Sequence, residues 1–440
     1  MLAYYLGLAR RSLVRTPVMT ALMVLAIGLG IGASMTMLTV LHVMARDPLP
    51  DRSGVLFYPH LDPLPTNYPS DREWGNPSDN FTWPDAMALL QAKRATRQAA
   101  MAGGNLLVWP EGPGLPTNED GRYATADILA MFGIALERGA GWTAGDDAAH
   151  ARVIVLGHDL ANRLFGTADP VGRTVRLNEQ QAGFRVIGVA APWAPQPLFY
   201  ADAGRKGSFG ARDDFFLPLS TSMELDFGTN GNTSNWAKQV GTDSHRDPST
   251  SWLQFWVQLD TPAQVAAYRR FLYDYSAQQH AIGRFEREPE QAKLYPLMDW
   301  LQHLRLAPDD VRLQSWLALG FLLVCLVNIV ALLLAKFLRR GGEIGVRRAL
   351  GARRADIFMQ FGVESLLIGL LGGALGVVLA QVGLWSVRQR PDAYAKVAQM
   401  DVSMLTSTVA FAILATLLAG LLPAWRASRI SPTLQIKALA

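Results

Sequence analysis

The side chains here that could do chemistry are few, and their spacing argues against most of it. Seven histidines occur, but no H-E-x-x-H pair that would set two zinc ligands and a glutamate base on one helix face. No G-x-S-x-G turn lifts a serine nucleophile. The one cysteine, Cys325, sits among Leu, Val and Phe, without the cationic surroundings that stabilise a thiolate. It also has no partner in the chain for a disulfide. Asp146-Asp147 and Asp213-Asp214 are sequence neighbours, so on a regular element their carboxylates diverge, and they read as solvated loop charges. Trp74, Trp83, Trp109 and Trp193 could line a cleft, although core contacts account for them equally well. No G-x-x-x-x-G-K-[ST] phosphate cradle occurs; Gly204-Arg205-Lys206-Gly207 lacks both its spacing and a strand-to-helix setting. The sequence therefore predicts no catalytic residue, no metal ligand and no cofactor site within this chain.

What it predicts instead is a membrane protein. Of 440 residues, 50% are apolar and 18% charged, against about a quarter charged in soluble proteins. Four runs free of Asp, Glu, Lys and Arg stand out: Thr16–Ala45, Leu313–Ala335, Ser365–Val387 and Val402–Trp425. A helix of about 23 residues reaches roughly 35 Å, enough to cross a hydrocarbon core of about 30 Å, and helix is the form that satisfies the backbone there. The first run far exceeds the roughly 7–15 apolar residues of a signal peptide, so a retained anchor is expected.

Charge sets the orientation. Arg10, Arg11 and Arg15, then Lys336, Arg339, Arg340, Arg347, Arg348, Arg353 and Arg354, then Arg426, Arg429 and Lys437 lie beside the runs. They place both termini and the 336–364 segment in the cytoplasm. The remainder of the chain is net acidic within a total of +4, so the basic excess belongs to topology and a nucleic-acid partner is not expected.

The expected organisation is a cytoplasmic amphipathic N-terminus (1–16), a first span (17–45), a large periplasmic region (46–312), a second span (313–338), a cytoplasmic segment (339–357), a third span (358–388), a short outer loop (389–401), a fourth span (402–425) and a tail (426–440). The large region reads as an α+β domain in two subdomains. Ala151–Leu156 and Phe184–Val189 have buried-strand character, and His158–Phe165 and Pro262–Gln279 have helical spacing. Segments 59–80 and 192–250 read as loops or excursions, and no internal repeat is evident.

The segment Arg339 to Ala352 is the most informative. Gly341 and Gly342 are expected to break the helix of the second span. Glu343 would open a short helix at its positive end and Gly351 would close it. Ile344 and Leu350 are expected to share an apolar face flanked by Arg347 and Arg348. Such a helix could dock on a partner, or simply rest on anionic lipid. Gly28-x-x-x-Gly32 and Gly372-x-x-x-Gly376 allow close helix approach. Glu364, at the edge of the third span, would meet headgroup water or a nearby arginine. His42 reads as interfacial, and Pro423 as a kink or terminus.

Glu343-Ile344-Gly345-Val346-Arg347-Arg348-Ala349-Leu350-Gly351-Ala352, followed by Arg354-Ala355-Asp356-Ile357 and the glycine-rich Gly369–Gly376, resembles MacB/FtsX-type ABC transporter permeases. Leu8 to Leu13, Leu422 to Pro432, Phe81-Thr82-Trp83-Pro84-Asp85 and the stretch 122–190 resemble further parts of that family, the last its MacB-like periplasmic core domain. The resemblance covers nearly the whole chain; segment 59–80 is richer in proline than the family pattern. It implies that Glu343, Ile344, Val346, Arg347, Arg348 and Leu350 belong to a coupling helix received by a cytoplasmic ABC ATPase dimer, which binds the ATP. It implies a second FtsX-like permease, homo- or heterodimeric, with Gly28 and Gly32 as candidates for the seam. It further implies a periplasmic domain with an insertion near 122–245, residence in a bacterial inner membrane, and an adaptor and outer-membrane channel as further partners. ATP hydrolysis by a separate polypeptide would then drive periplasmic movement for efflux or export. Two readings compete: a membrane-anchored scaffold that regulates periplasmic proteins without transport, and a membrane-bound hydrolase, supported only by loops bearing Asp, His and Ser.

Overall fold

The computed structural model describes residues 2–68, 76–110, 115–178, 183–202, 209, 212–237, 244–305, 309–389 and 402–428. Trp74, Gly204–Gly207, nearly all of the 389–401 loop and the tail beyond Ser428 lie outside the described residues. The chain divides into two compact units: a sheet domain, Arg46–Leu306, and a helical unit, Met1–Ala45 with Ala307–Ala440.

Helix α1 (Leu2–Arg15) precedes α2 (Pro17–Ala45). Pro17 starts the second helix, where a fixed φ and a missing N–H cost nothing. The sheet domain follows, with β1 (Leu56–His60), β2 (Phe81–Thr82), α3 (Trp83–Ala92), β3 (Arg97–Trp109) and β4 (Thr117–Ala124). Next come α4 (Ile128–Phe132), β5 (Leu136–Gly139), α5 (Ala144–Ala148), β6 (Val153–Gly157), α6 (His158–Phe165), β7 (Thr174–Leu177), β8 (Phe184–Ala190) and β9 (Phe215–Pro218). The domain closes with α7 (Leu219–Glu224), β10 (Ser234–Asn235), β11 (Thr250–Gln258), α8 (Pro262–Ala281), β12 (Lys293–Pro296) and α9 (Leu297–His303).

One mixed sheet runs β12-β1-β11-β3-β4-β9-β6-β8-β5. Strands from the two ends of the domain form one side of it, and β4 to β9, from the middle of the domain, form the other. A long antiparallel ladder from Met101↔Ala124 to Val108↔Thr117 joins the sides, and a single apolar cluster continues through both. The strands expected at 151–156 and 184–189 are β6 and β8, paired in parallel. The helix expected from Pro262 is α8. Thr261 caps it: its Oγ1 accepts from Gln264 N while Gln264 Oε1 accepts from Thr261 N, a reciprocal box that satisfies two end groups.

Two sequence expectations fail in this domain. Segment 192–250 is not merely a loop, because it contains β9, α7 and β10, and its turn residues Leu198, Phe199 and Tyr200 are buried, with Phe199 edge-on to Trp256 at 5.2 Å. Nor are the aspartate pairs simply solvated. Asp213 receives Arg122 Nε at 3.1 Å and Nη2 at 3.2 Å, plus the Tyr200 hydroxyl at 2.8 Å, and Arg122 is only 1% exposed. Asp147 accepts from Ala126 N at 2.8 Å and Trp142 Nε1 at 3.1 Å. Burial still dominates and pushes its carboxyl up to about 6. An acid whose folded pKa lies above its unfolded value favours folding most below the unfolded value, near 4, and that contribution is lost as pH rises through 6. Thermal unfolding of the wild type minus that of Asp147→Asn, followed against pH, should therefore show the wild type losing relative stability between about pH 4 and 6; a pH-independent difference would contradict it. Among the described tryptophans of the four singled out, Trp83 and Trp193 are partly buried and pack against other rings, and Trp193 also lines a cavity. Trp83 stacks parallel to Trp252, and Trp193 on Tyr200 at 5.4 Å.

The helical unit resumes with α10 (Asp309–Arg339), α11 (Gly341–Ala349), α12 (Arg354–Arg388) and α13 (Val402–Ser428). Among the described residues, α2, α10, α12 and α13 are long and apolar enough to cross a membrane, one before the sheet domain and three after it. Met23, Ile27, Ile31, Leu322, Ile329 and Leu333 form the bundle's interior, while Leu25, Leu29, Leu323, Val327, Val378 and Val382 point outward. Apolar side chains on both faces are what a helix bundle bathed in hydrocarbon requires. Pro423 lies inside α13, so it is not a terminus.

Gly28 and Gly32 meet α12 of the same chain. A Cβ on Gly28 would lie 2.8 Å from Leu375, and one on Gly32 2.7 Å from Leu379 Cβ. Gly372 and Gly376 receive Ile27 and Ile31 in return. The two glycine pairs thus bring α2 and α12 together within one chain, and the face of Gly28 and Gly32 expected at a seam between permeases is filled by that contact.

Candidate functional site

The segment singled out from the sequence forms a compact corner. The turn lies at Arg340, which leaves the helical conformation (φ −96°, ψ 14°). Gly341 and Gly342 are not the break but the first turn of α11. Glu343 stands in that turn, and Gly351, at φ +101°, ends the helix in a conformation that glycine adopts without strain.

Ile344 and Leu350 do not share a face. Six residues at about 100° each leave them roughly 120° apart. Ile344 is buried in the apolar cluster with Phe337, Ile357 and Phe361, whereas Val346 is 52% and Leu350 83% exposed.

Charges bind the inner side of α11 to its neighbours. Glu343 Oε2 accepts from Arg340 Nε at 3.1 Å and Nη2 at 3.0 Å, and Glu343 Oε1 from Arg347 Nη2 at 2.7 Å. Arg347 Nη1 also donates to Gln360 Oε1 of α12 at 2.7 Å. Beneath them lies Glu364, with no exposed surface. Its Oε1 accepts from the Ser12 hydroxyl of α1 at 2.6 Å and lies 2.7 Å from Lys336 Nζ of α10. Its Oε2 is 3.3 Å from Arg340 Nη1, which also donates to Ser12 Oγ at 2.8 Å. Glu364 thus pairs with an arginine as expected, but not with headgroup water.

Buried charges persist only when paired and hydrogen-bonded, and here the pairing ties four helices to one point. Of the residues assigned to the coupling helix, Glu343 and Arg347 are engaged within the chain, Ile344 is core, and Arg348 is half-buried. Val346 and Leu350 alone among the six project outward as exposed side chains. Such a helix can hold a rigid position while offering a small apolar surface. Sequence reasoning used Lys336 and Arg340 only for orientation and passed over Ser12 and Gln360. The available signal was Lys336 and Arg340 spaced four apart, directly after an apolar run, with Glu364 directly before another.

Comparison with known proteins gives the same parts in the same order. Residues 20–271 match the MacB-like periplasmic core domain, and residues 316–432 match the FtsX-like permease C-terminal domain. The macrolide export ATP-binding/permease protein MacB of Bdellovibrio bacteriovorus is 28% identical over 64% of this chain and 38% of its own length. The protein of the same description from Psychrobacter cryohalolentis is 23% identical over 94% of this chain and 54% of its own. The chain thus spans about half the length, or less, of these curated relatives. The crystal structure of the periplasmic region of MacB from Actinobacillus actinomycetemcomitans aligns over 59% of this chain and 97% of that one, at 14% identity and a TM-score of 0.37. With the first domain model covering more than half of the chain and the second covering the last three spans, the chain belongs to the MacB/FtsX-type ABC transporter permeases.

Proposed function

We propose that this chain couples ATP hydrolysis by a cytoplasmic ABC ATPase, lying outside these residues, to movement of a periplasmic domain for efflux or export. The chain itself contributes no nucleotide chemistry in this reading. The observation that carries it is the two-sidedness of α11. Arg340 at its start reaches Glu364 of α12 and, through Ser12, α1, Glu343 holds Arg340, and Arg347 reaches Gln360 of α12, while Val346 and Leu350 remain exposed. A lever must be stiff toward its load and adhesive toward its motor, and this helix has both sides.

The topology that goes with this reading is a multi-pass protein of the inner membrane, with both termini and α11 cytoplasmic and the sheet domain periplasmic. A second permease completes the pair, and a periplasmic adaptor and outer-membrane channel extend the assembly. Relatives described as macrolide export proteins support export as the direction of work.

The test is association with the cognate ATPase. Burying Leu350 in a groove is worth about 2 kcal/mol, so Leu350→Glu should weaken binding about thirty-fold or more, as read by co-purification and by titration of the ATPase onto the permease in nanodiscs. Val346→Glu should behave similarly. Unchanged affinity in the double variant would remove α11 as the docking element.

A further inference from the structure

We propose that His60, Asp79 and His303 form a binding site for a divalent transition metal, best suited to Zn2+, in the sheet domain. No motif announces it. His60 ends β1, Asp79 closes the one-turn segment Pro77–Asp79, and His303 ends α9. The fold brings one ligand atom from each within 4.8 Å of the others.

The separations would also accommodate a metal in place of the His303–Asp79 hydrogen bond. His303 Nε2 lies 3.0 Å and His60 Nε2 3.5 Å from the same oxygen, Asp79 Oδ1. Ligand atoms about 2.0–2.1 Å from a tetrahedral zinc stand about 3.3–3.4 Å from each other. The two observed separations bracket that edge, so small side-chain shifts would seat an ion. The nearest partner of His60 Nε2 is Ser78 Oγ at 3.3 Å, a long contact that a metal bond could replace; its buried Nδ1, without a partner, would carry the proton when Nε2 binds an ion. A bond to a metal would use the Nε2 lone pair directly.

The ligands are also held in place. Asn76 Oδ1 accepts from Ser78 N at 3.2 Å, and Asp79 Oδ2 accepts from Asn76 N at 3.3 Å, which leaves Oδ1 for the site. The Tyr58 hydroxyl anchors the Asp79 carbonyl at 2.6 Å. The His303 ring is stacked against Tyr295 at 4.9 Å and Trp300 at 5.2 Å. Support of this kind fixes ring orientation around metals. Two imidazoles and one carboxylate suit Zn2+ and its transition-metal neighbours, and not Ca2+ or Mg2+, which prefer six or more oxygen ligands. His303 is partly exposed, so an ion can enter from solvent and a water can complete the tetrahedron.

A bound ion would have a structural consequence. His60 belongs to the first strand of the sheet domain and His303 to its last helix, so the metal would cross-link the beginning of the domain to its end.

The experiment uses the full chain in nanodiscs, stripped with EDTA and titrated with Co2+, then competed with Zn2+. The expected result is one ion per chain with the intense visible absorption of tetrahedral Co2+, and a rise in unfolding temperature on adding Zn2+ but not Mg2+. His303→Ala and Asp79→Asn should each weaken binding about 100-fold or more, at least as much as loss of a supporting residue. His158→Ala, at an exposed histidine paired with Glu137, should leave it unchanged. His303→Ala removes a partly exposed side chain at a helix end, and far-UV circular dichroism confirms that it is folded. Absence of stoichiometric binding, or equal affinity in wild type and folded His303→Ala, would overturn the proposal and leave a hydrogen-bonded histidine–aspartate cluster.

Discussion

Glu364→Gln should destabilise the helical unit by about 3–5 kcal/mol, the usual consequence of removing one member of a buried ion pair. Lys336 is only 2% exposed, and its ammonium would lose the carboxylate 2.7 Å away. The loss reaches further than one pair, because the same carboxylate receives Ser12 and Arg340. The amide keeps the shape but carries no charge, and its NH2 would face donors on every side. Lys336→Met combined with Glu364→Leu removes both charges at similar volume, and such replacements are often neutral or stabilising. Unfolding in detergent should therefore rank the single variant well below both the wild type and the double variant. The double variant also separates stability from coupling: it should be folded, yet hold Arg340 and α11 less firmly. A single variant as stable as the wild type would mean that the network carries no net energy.

Asp213→Ala is the counterpart in the sheet domain. Arg122 keeps its proton at any relevant pH, so the substitution strands a guanidinium at 1% exposure and leaves the Tyr200 hydroxyl without its acceptor. A cost of about 3–5 kcal/mol is again expected. Because Arg122 lies on β4 and Asp213 just before β9, neighbours in the sheet, the damage should centre on the middle of the domain. Hydrogen exchange should show amides of β4, β6 and β9 opening together, ahead of β1 and β11. Uniform opening across the sheet, or no change, would contradict this.

The helical unit was legible because the bilayer imposes a simple rule: about 20 apolar residues without charge must be helix. Strands β6 and β8 showed through their β-branched runs, and α6 and α8 through their spacing. The segment from Arg339 to Ala352 stood out in the sequence, but local reasoning misjudged its geometry at two points. The glycine pair suggested a break, yet Arg340 makes the turn and the glycines continue as helix. Ile344 and Leu350 are both apolar, but their angular separation sends one into the core and the other to solvent. Long-range partners were beyond reach. Nothing local to Asp213 announces Arg122, and nothing near Glu364 says that Ser12 will arrive from the other end of the chain. His60, Asp79 and His303 share no element and no spacing; only the pairing of β1 with β12 and the placement of α9 brings them together.

That same pairing has a mechanical meaning. Phe57, near the start of β1, lies opposite Pro296, the last residue of β12, and the ladder continues to His60 and Lys293. The two chain ends of the sheet domain are therefore moored side by side on one edge strand pair, not at opposite poles. If both ends shift together, the whole sheet is carried as a plate. If one end slides past the other, the four-pair β1–β12 ladder is sheared, and movement of β1 also loads its shorter pairing with β11. Both connections of the domain thus run through adjacent strands at one edge of the sheet, so any load on them enters at that edge.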